Sequence, residues 1–107
     1  MNNKLFENII ARISQSLKNK FNDFKGIYFY GSRARGDAGA KSDYDIVIVF
    51  KREISWEFEN EILNIIYDFL LDNDIIIDCK VYSEKEISES ATPLRQNVRK
   101  DGLFYGI

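Results

Sequence analysis

The sequence predicts a layered domain of the α/β or α+β class. Segments with the apolar spacing of helices alternate with three short runs of β-branched and aromatic residues. The 107 residues suffice for one compact domain, and 45% of them are hydrophobic. No internal repeat or low-complexity tract interrupts the alternation.

Two long helices are predicted from apolar residues that recur on one face. Asn2 or Asn3 caps the first helix, whose apolar face comprises Phe6, Ile9, Ile10, Ile13 and Leu17. Ser55 caps the second helix, which has acidic residues in its first turn and ends near Asp72-Asn73. Its buried stripe comprises Phe58, Ile62, Ile65, Ile66, Phe69 and Leu70.

Three strands are predicted between and after these helices. The run from Ile27 to Tyr30 is bounded by Gly26 and Gly31. The segment from Tyr44 to Phe50 has a continuously apolar second half, which is typical of a strand covered on both faces. We therefore expect this strand to be central. The third strand runs from Ile75 to Tyr82.

The last quarter of the chain gives weaker signals. Ser83 to Ala91 is polar and is predicted to be a loop or a short helical turn. Thr92-Pro93 has the pattern of a helix start, and Gly102 of a helix stop. Leu103 to Ile107 is predicted to add an edge strand.

Composition excludes several kinds of chemistry. The chain has no histidine, which excludes Ser-His-Asp and Cys-His catalysis and His-ligated zinc within it. The single cysteine, Cys79, lies in an apolar run and is predicted to be a small buried hydrophobic residue. With a net charge of −2 and no cluster of four or more basic residues, charge-driven nucleic-acid binding is not expected.

Nothing in the sequence indicates export or a membrane. Met1 to Phe6 lacks the pattern of a secretory signal, and no apolar run approaches the ~20 residues that span a bilayer. A cytoplasmic location is the expectation.

Asp43 and Asp45 are the first candidate site. They are separated by one residue at the start of a strand, so both side chains leave the same face. Two carboxylates at the start of an apolar strand repel each other and destabilise the fold unless a cation neutralises their charge. Mg²⁺ is the natural candidate for that cation. Taken alone, Asp-x-Asp is also common in surface strands and turns.

The second candidate feature is Gly31-Ser32-Arg33-Ala34-Arg35-Gly36, directly after a predicted strand. Gly31 allows close approach of a ligand to the backbone, and Ser32 supplies a hydroxyl where a helix start favours anions. We interpret the segment as a phosphate cradle, although neither the dinucleotide fingerprint nor a Walker loop is present. The alternative is a turn and cap that serves local geometry alone.

Asp78 is the third candidate. It interrupts the apolar run of the third strand, and its side chain leaves on the face opposite to those of Ile77 and Cys79. A solvent-facing residue or a guard against edge pairing would explain it alone. Together with the other two features, it is better explained by a neighbouring strand that brings Asp78 beside Asp43 and Asp45.

The segment from Gly31 to Asp45, GSRARGDAGAKSDYD, resembles the signature of the minimal nucleotidyltransferases, small members of the DNA polymerase β-like superfamily. The Gly-Ser pair, the following Ala-Arg-Gly, the Ser-Asp-x-Asp and a later strand aspartate all match. The resemblance covers nearly the whole chain and implies one nucleotidyltransferase domain over residues 1–107. Its fold would be a small mixed sheet of three to four strands, with helices packed mainly on one side.

The resemblance also implies a set of roles. Gly31 and Ser32 would hold the β- and γ-phosphates of ATP, and Asp43 and Asp45 would bind both nucleotide and magnesium. Asp78 would complete a site for two Mg²⁺ ions and assist deprotonation of an acceptor hydroxyl. Attack of that hydroxyl on the α-phosphate would release pyrophosphate.

Other residues near the motif are less defined. Arg33 and Arg35 either steady the triphosphate or pair with acidic groups of a partner, and we favour nucleotide binding for Arg35. Lys41 has no preferred role. The aromatic residues expected in the core or on a sheet face, rather than in a base-stacking platform, are Tyr28, Phe29, Tyr30, Tyr44 and Trp56.

Family members this short are often encoded beside an all-helical HEPN ribonuclease. The leading hypothesis is therefore a metal-dependent protein adenylyltransferase, an antitoxin that transfers AMP from ATP to its cognate HEPN toxin. One alternative is transfer to a small molecule such as an aminoglycoside, although 107 residues leave no room for added substrate-binding structure. The other is an antitoxin that acts by complex formation without transfer.

Overall fold

The computed structural model describes residues 4–30, 44–73, 77–89 and 103–106. These ranges contain three helices and four strands. In chain order the elements are α1 (Lys4–Lys20), β1 (Phe24–Tyr30), β2 (Tyr44–Phe50), α2 (Trp56–Asn73), β3 (Ile77–Ser83), α3 (Glu84–Glu89) and β4 (Leu103–Gly106).

The four strands form one mixed sheet in the order β3-β2-β1-β4. β1 pairs antiparallel with both β2 and β4, whereas β2 and β3 are parallel. A parallel pair needs a long crossover between its strands, and α2 is that crossover. The predicted mixed sheet, the central position of β2 and the edge strand near the carboxyl end are confirmed.

The main core lies between one face of the sheet and the helices α1 and α2. The predicted apolar stripes face this core wherever the structure describes their side chains, which excludes Phe6. The residues that fill it include Ile9, Ile10, Ile13 and Leu17 of α1, Phe58, Ile62 and Ile66 of α2, and Ile27, Phe29, Ile46, Ile48 and Phe50 of the sheet. The prediction that the helices pack mainly on one side is therefore confirmed.

A smaller apolar cluster covers the other face of the sheet. Val47 and Val49 of β2 are buried there against Ile87 of α3, with Tyr28 and Tyr82 packed around them. Because side chains alternate along a strand, β2 is buried on both faces, and Ile46 to Phe50 are all buried. This explains the uninterrupted apolar run in its sequence.

Side-chain caps begin α2 and α3. The Ser55 hydroxyl accepts a hydrogen bond from the Phe58 N–H at 3.1 Å, so the predicted cap of α2 is confirmed. At α3, the Glu86 N–H donates to the Ser83 hydroxyl at 3.0 Å, and the Ser83 N–H donates to the Glu86 carboxylate at 3.0 Å. This reciprocal pair is a capping box, and it makes a short helix of the segment predicted as loop or helical turn.

The boundary predicted for the first strand was wrong. β1 begins at Phe24 rather than Ile27, because Gly26 does not end the strand. Gly26 has a φ of 154° beside an irregularity in the register with β2, the geometry of a β-bulge. Phe24 is buried in the core beyond the bulge.

The described helices include none that is long and apolar enough to cross a lipid bilayer. Several predicted features lie outside the described residues. These are the cap at Asn2 or Asn3, the start of the third strand at residues 75–76, and the helix predicted from Thr92-Pro93 to Gly102.

Candidate active site

Two of the three predicted aspartates lie side by side in the sheet. Asp45 of β2 is the register partner of Asp78 of β3. Partners in register on neighbouring strands direct their side chains to the same face, and such strands lie about 4.8 Å apart. That face is the one on which Val47 and Val49 are buried against α3, opposite the main core. The two carboxylates therefore leave one end of the sheet together.

Both aspartates are accessible from solvent. The Asp78 side chain is 53% exposed, and Asp45 is half-buried. Beyond Asp45, β2 is apolar and buried, whereas β3 is only partly buried beyond Asp78 and carries Lys80 on the same face. An external substrate can approach Asp78 without rearrangement of the core.

Lys80 is a neighbour of this pair that the sequence analysis did not identify as a site residue. Its Nζ lies 3.4 Å from Oδ2 of Asp78, two residues away on the same face of β3. The alternation Asp-x-Lys at the start of a strand was the available signal. An exposed ion pair of this kind is weak, so Lys80 can exchange Asp78 for another anion.

Two adjacent carboxylates fit a hard divalent cation. Carboxylate oxygens are the ligands that Mg²⁺ prefers in proteins, and two neighbouring negative charges are stabilised by a cation between them. The Lys80 ammonium already supplies one positive charge at Asp78. Within the described residues no group of three acidic or cysteine side chains converges on one point, and the third predicted ligand, Asp43, lies outside them.

The backbone connects this pair directly to the predicted phosphate-binding segment. Tyr30, the last residue of β1, is the register partner of Asp45, and Gly31 follows it in sequence. β2 then begins at Tyr44, one residue after Asp43. The predicted site residues that lie outside the described residues are Gly31, Ser32, Arg33, Arg35, Lys41 and Asp43.

Cys79 lies between the site residues Asp78 and Lys80 but faces the other way. It is half-buried and packs against the main core, close to the small hydrophobic role predicted for it. Burial, reinforced by the negative charge of Asp78, raises the pKa of the Cys79 thiol to about 12. Cys79 is therefore protonated at neutral pH and is not a nucleophile.

The aromatic residues have different environments. Phe29 is buried in the main core, Tyr44 packs near it with ring centroids 6.1 Å apart, and Tyr28 is half-buried on the opposite face. The prediction for Trp56 was wrong, because its side chain is 72% exposed at the start of α2. The apolar stripe of α2 begins at Phe58, so the core has no position for Trp56.

Several solved structures share this fold. A candidate nucleotidyltransferase from Sulfolobus solfataricus is 26% identical, with a TM-score of 0.63 over 92% of this chain and 77% of that chain. A toxin–antitoxin structure with AMP-PNP is 22% identical, with a TM-score of 0.66 over 94% and 73% of the two chains. A complex of tri-AMPylated Shewanella oneidensis HEPN toxin with MNT antitoxin is 19% identical, with a TM-score of 0.60 over 99% and 74%.

No curated protein sequence matches the chain. The family model described as Polymerase beta, Nucleotidyltransferase matches residues 11–102, which include α2, β1 to β3 and the whole segment between Tyr30 and Tyr44. The mixed sheet agrees with that match. The chain belongs to the polymerase β nucleotidyltransferase family.

Proposed function

We propose that this protein transfers AMP from ATP to a hydroxyl group of a partner protein, and that the partner is a cognate HEPN toxin which the transfer neutralises. The observation that carries the proposal is the register pairing of Asp45 with Asp78 in a member of a nucleotidyltransferase family. Both carboxylates are accessible at one end of the sheet. Residues 1–107 act in this proposal as one nucleotidyltransferase domain.

Asp43, Asp45 and Asp78 are the residues that would hold Mg²⁺. When bound, the metal would neutralise the negative charge that develops on the phosphate during an in-line displacement. Two ions would stabilise both the entering and the leaving oxygen. Gly31 and Ser32 would bind the triphosphate through backbone N–H groups and a hydroxyl, and Arg35 through its guanidinium. Asp43 and Asp45 would thus contact the nucleotide through the cation.

Asp78 is assigned the role of general base. The acceptor hydroxyl forms a new oxygen–phosphorus bond at the α-phosphate, the bond from the α-phosphorus to the bridging oxygen breaks, and pyrophosphate leaves. The hydroxyl proton passes to the Asp78 carboxylate. With a side chain 53% exposed, Asp78 is open to a hydroxyl from another molecule.

The choice of a HEPN toxin as partner comes from the structural neighbours. One is a complex between an MNT antitoxin and a tri-AMPylated HEPN toxin, and another is a toxin–antitoxin structure with AMP-PNP. These describe those proteins, and their similarity to this chain supports the proposal. Because ATP and a toxin made in the same cell share one compartment, the proposed setting is the cytoplasm.

The test is transfer of label from α-³²P-ATP to the purified HEPN protein in the presence of Mg²⁺. We expect labelled HEPN protein with the wild-type chain and none with Asp45→Asn or Asp78→Asn. Glu7→Gln, which removes an exposed acid of α1 distant in sequence from the motif, should label as the wild type does. An unlabelled HEPN protein in the presence of the folded wild-type chain would overturn the proposal.

Protection of cells against the toxin separates transfer from simple complex formation. If transfer neutralises the toxin, Asp45→Asn should bind the HEPN protein and leave the cells unprotected. Full protection by Asp45→Asn would instead identify an antitoxin that acts by complex formation.

A further inference from the structure

The helix α2 has a second apolar face that the core does not use. The large apolar side chains with high exposure are Trp56 at 72%, Tyr67 at 51% and Leu71 at 83%. With 3.6 residues per turn, they fall on one line along the helix. We call this line the outer stripe, and its members are Trp56, Asn60, Leu63, Tyr67 and Leu71.

The outer stripe is distinct from the buried stripe of the same helix. Phe58, Ile62 and Ile66 pack into the main core, on the other side of the helix axis. Because the buried stripe already supplies the apolar residues with which α2 packs into the core, folding does not require apolar residues on the outer side. The stripe is interrupted by Asn60 near its start but is apolar from Leu63 through Tyr67 to Leu71, and exposed apolar groups with a polar rim are typical of a protein interaction site.

The charged residues of α2 that flank the outer stripe are all acidic, whereas Arg12 and Arg52 contact the helix on its core side, at Phe69 and Phe58. Between Trp56 and Asn73 the sequence has five acidic residues and no lysine or arginine. This concentration contrasts with the chain's net charge of only −2. The field around the stripe therefore favours a cationic partner.

A pocket lies at the amino-terminal end of the outer stripe. Its volume is about 230 Å³, and its lining includes Trp56, Glu59, Tyr82 and Glu86. Indole is the aromatic group that attracts a cation best, and a guanidinium or ammonium group also pairs with carboxylates. Glu59 forms no ion pair with another described residue. The pocket thus has the chemistry to receive a lysine or arginine side chain.

We propose that the outer stripe, together with this pocket, docks a partner protein through an amphipathic helix that has an apolar face flanked by lysine or arginine. One basic side chain of that helix enters the pocket and packs on Trp56. The apolar face covers Tyr67 and Leu71, and the remaining basic residues pair with the acidic rim.

The charge also selects this partner over three others. A second copy of the chain would set one acidic helix against another, because a two-fold contact uses the same surface twice. An anionic membrane and a nucleic acid are negatively charged, so the acidic residues of α2 would repel both. A basic amphipathic helix is the occupant that satisfies both the stripe and its rim.

Docking on the outer stripe leaves the paired aspartates open. α2 packs on the main-core face of the sheet, whereas Asp45 and Asp78 lie on the opposite face. The pocket residue Tyr82 shares the face of Asp78 but lies four residues farther along β3, about 13 Å away. Binding on α2 can therefore be measured without nucleotide, metal or acceptor hydroxyl. Its outcome is independent of whether the chain transfers AMP.

The experiment uses two fluorescein-labelled model peptides and fluorescence anisotropy. Both peptides carry leucines at helical i, i+3, i+4 and i+7 spacing, flanked by arginines in one and by glutamates in the other. We expect the arginine peptide to bind the wild-type chain and the glutamate peptide not to bind. The double variant Trp56→Ala, Tyr67→Ala keeps the charge, so we expect it to lose affinity by about tenfold or more.

Two further variants make the result specific. Gln15→Ala, at an exposed polar position of α1, should bind the arginine peptide as the wild type does. The double variant Glu57→Lys, Glu61→Lys changes the charge of α2 from −5 to −1, so we expect the arginine peptide to lose affinity and the glutamate peptide to gain it, a gain that misfolding cannot produce.

Three results would overturn the proposal. One is equal binding of the two peptides, and another is unchanged affinity in the Trp56→Ala, Tyr67→Ala variant. The third is a wild-type dimer in sedimentation equilibrium that the same double variant dissociates, which would make a second copy the occupant.

Discussion

Lys80 tunes the charge at the paired aspartates. Its ammonium lies 3.4 Å from Asp78, where it competes with any other cation that this carboxylate binds. The two side chains are 38% and 53% exposed, so the ion pair is weak and easily displaced. At the residue scale, Asp78 thus has a positive charge beside it that the proposed divalent cation would have to displace.

Replacing Lys80 with methionine tests this competition. Because Lys80→Met removes the competing ammonium, we expect the Mg²⁺ concentration that half-saturates AMP transfer to fall about two- to fivefold. This factor corresponds to the free energy of an exposed ion pair, which is at most ~1 kcal/mol. Lys85→Met, at an 82%-exposed lysine of α3, is the matched control. A half-saturating concentration that stays constant or rises in Lys80→Met would contradict the competition.

Arg52 joins two loops at the other end of the sheet. Its guanidinium donates hydrogen bonds to both carboxylate oxygens of Asp23, at 2.5 and 2.8 Å. The guanidinium carbon also lies 4.1 Å from the ring centroid of Phe58 and 5.6 Å from that of Phe21. A lysine can reproduce neither the paired hydrogen bonds nor the stacking.

The contribution of Arg52 to stability depends on pH. The hydrogen bond from Arg52 holds the pKa of Asp23 below its usual value of 3.8. The ion pair therefore stabilises the fold fully above that usual value, and this part is lost as the pH falls through the lowered folded-state pKa.

We expect Arg52→Lys to lower the free energy of unfolding by about 1 kcal/mol at pH 7, a value limited by the partial exposure of the pair. Urea unfolding at pH 7 and near pH 2.5 measures the loss, which should shrink at the lower pH. Asp23→Asn provides the background without the titrating group. A loss of stability in Arg52→Lys that is equal at both pH values would rule out the ion pair as its source.

At the scale of elements, α3 depends on its cap. Ser83 is buried, and its hydroxyl accepts the hydrogen bond of the Glu86 N–H at the first turn. α3 has only six residues, with Ile87 as its buried residue. So short a helix has little intrinsic stability, and the cap together with the packing of Ile87 on Val47 and Val49 holds it in place.

Ser83→Ala should therefore lower the free energy of unfolding by about 1 kcal/mol, since it leaves a helix-start N–H without its acceptor. Ser88→Ala is the matched control: its exposed hydroxyl donates to two carbonyls of its own helix, at 3.0 Å and 3.1 Å, and the change should stay within about 0.5 kcal/mol. Chemical denaturation measures both. Equal losses from the two variants would show that the capping box does not stabilise α3.

The elements that sequence reasoning located well are those with strong apolar periodicity. α1, β2 and α2 each present several buried residues at regular spacing, and the bounds of β2 were predicted to the residue. β1 was predicted too short because Gly26 looks like a boundary locally, and only pairing with β2 reveals a bulge. The helix α3 has one buried residue and hence no period, and its signal is the Ser-x-x-Glu of its cap.

The site was predictable in part because the apolar pattern of each strand makes a charged residue stand out. Asp45 and Asp78 interrupt or precede apolar runs, which marks each as an exception along its own strand. Their alignment with each other depends on the register of two strands joined through α2, a non-local property of the fold. Lys80 was overlooked because its position has meaning only once Asp78 is known to belong to a site.

At the scale of the whole molecule, the two faces of the sheet differ in what they carry. One face is sealed by α1 and α2 and supplies most of the core. The other carries Asp45 and Asp78, with the smaller α3 cluster farther along the same strands. The acidic outer surface of α2 thus lies on the far side of the core from the paired aspartates. The proposed chemistry and the proposed docking can therefore be altered separately by mutation.

The most direct test of the central claim, that Asp45 and Asp78 work as one unit, is a double-mutant cycle on the single-turnover rate of AMP transfer. We expect Asp45→Asn and Asp78→Asn each to slow transfer by at least about 100-fold. The double variant should be no slower than the slower single variant, because either change already disables the shared site. A double variant slowed by the product of the two single effects, or near-normal transfer by Asp78→Asn alone, would contradict the account.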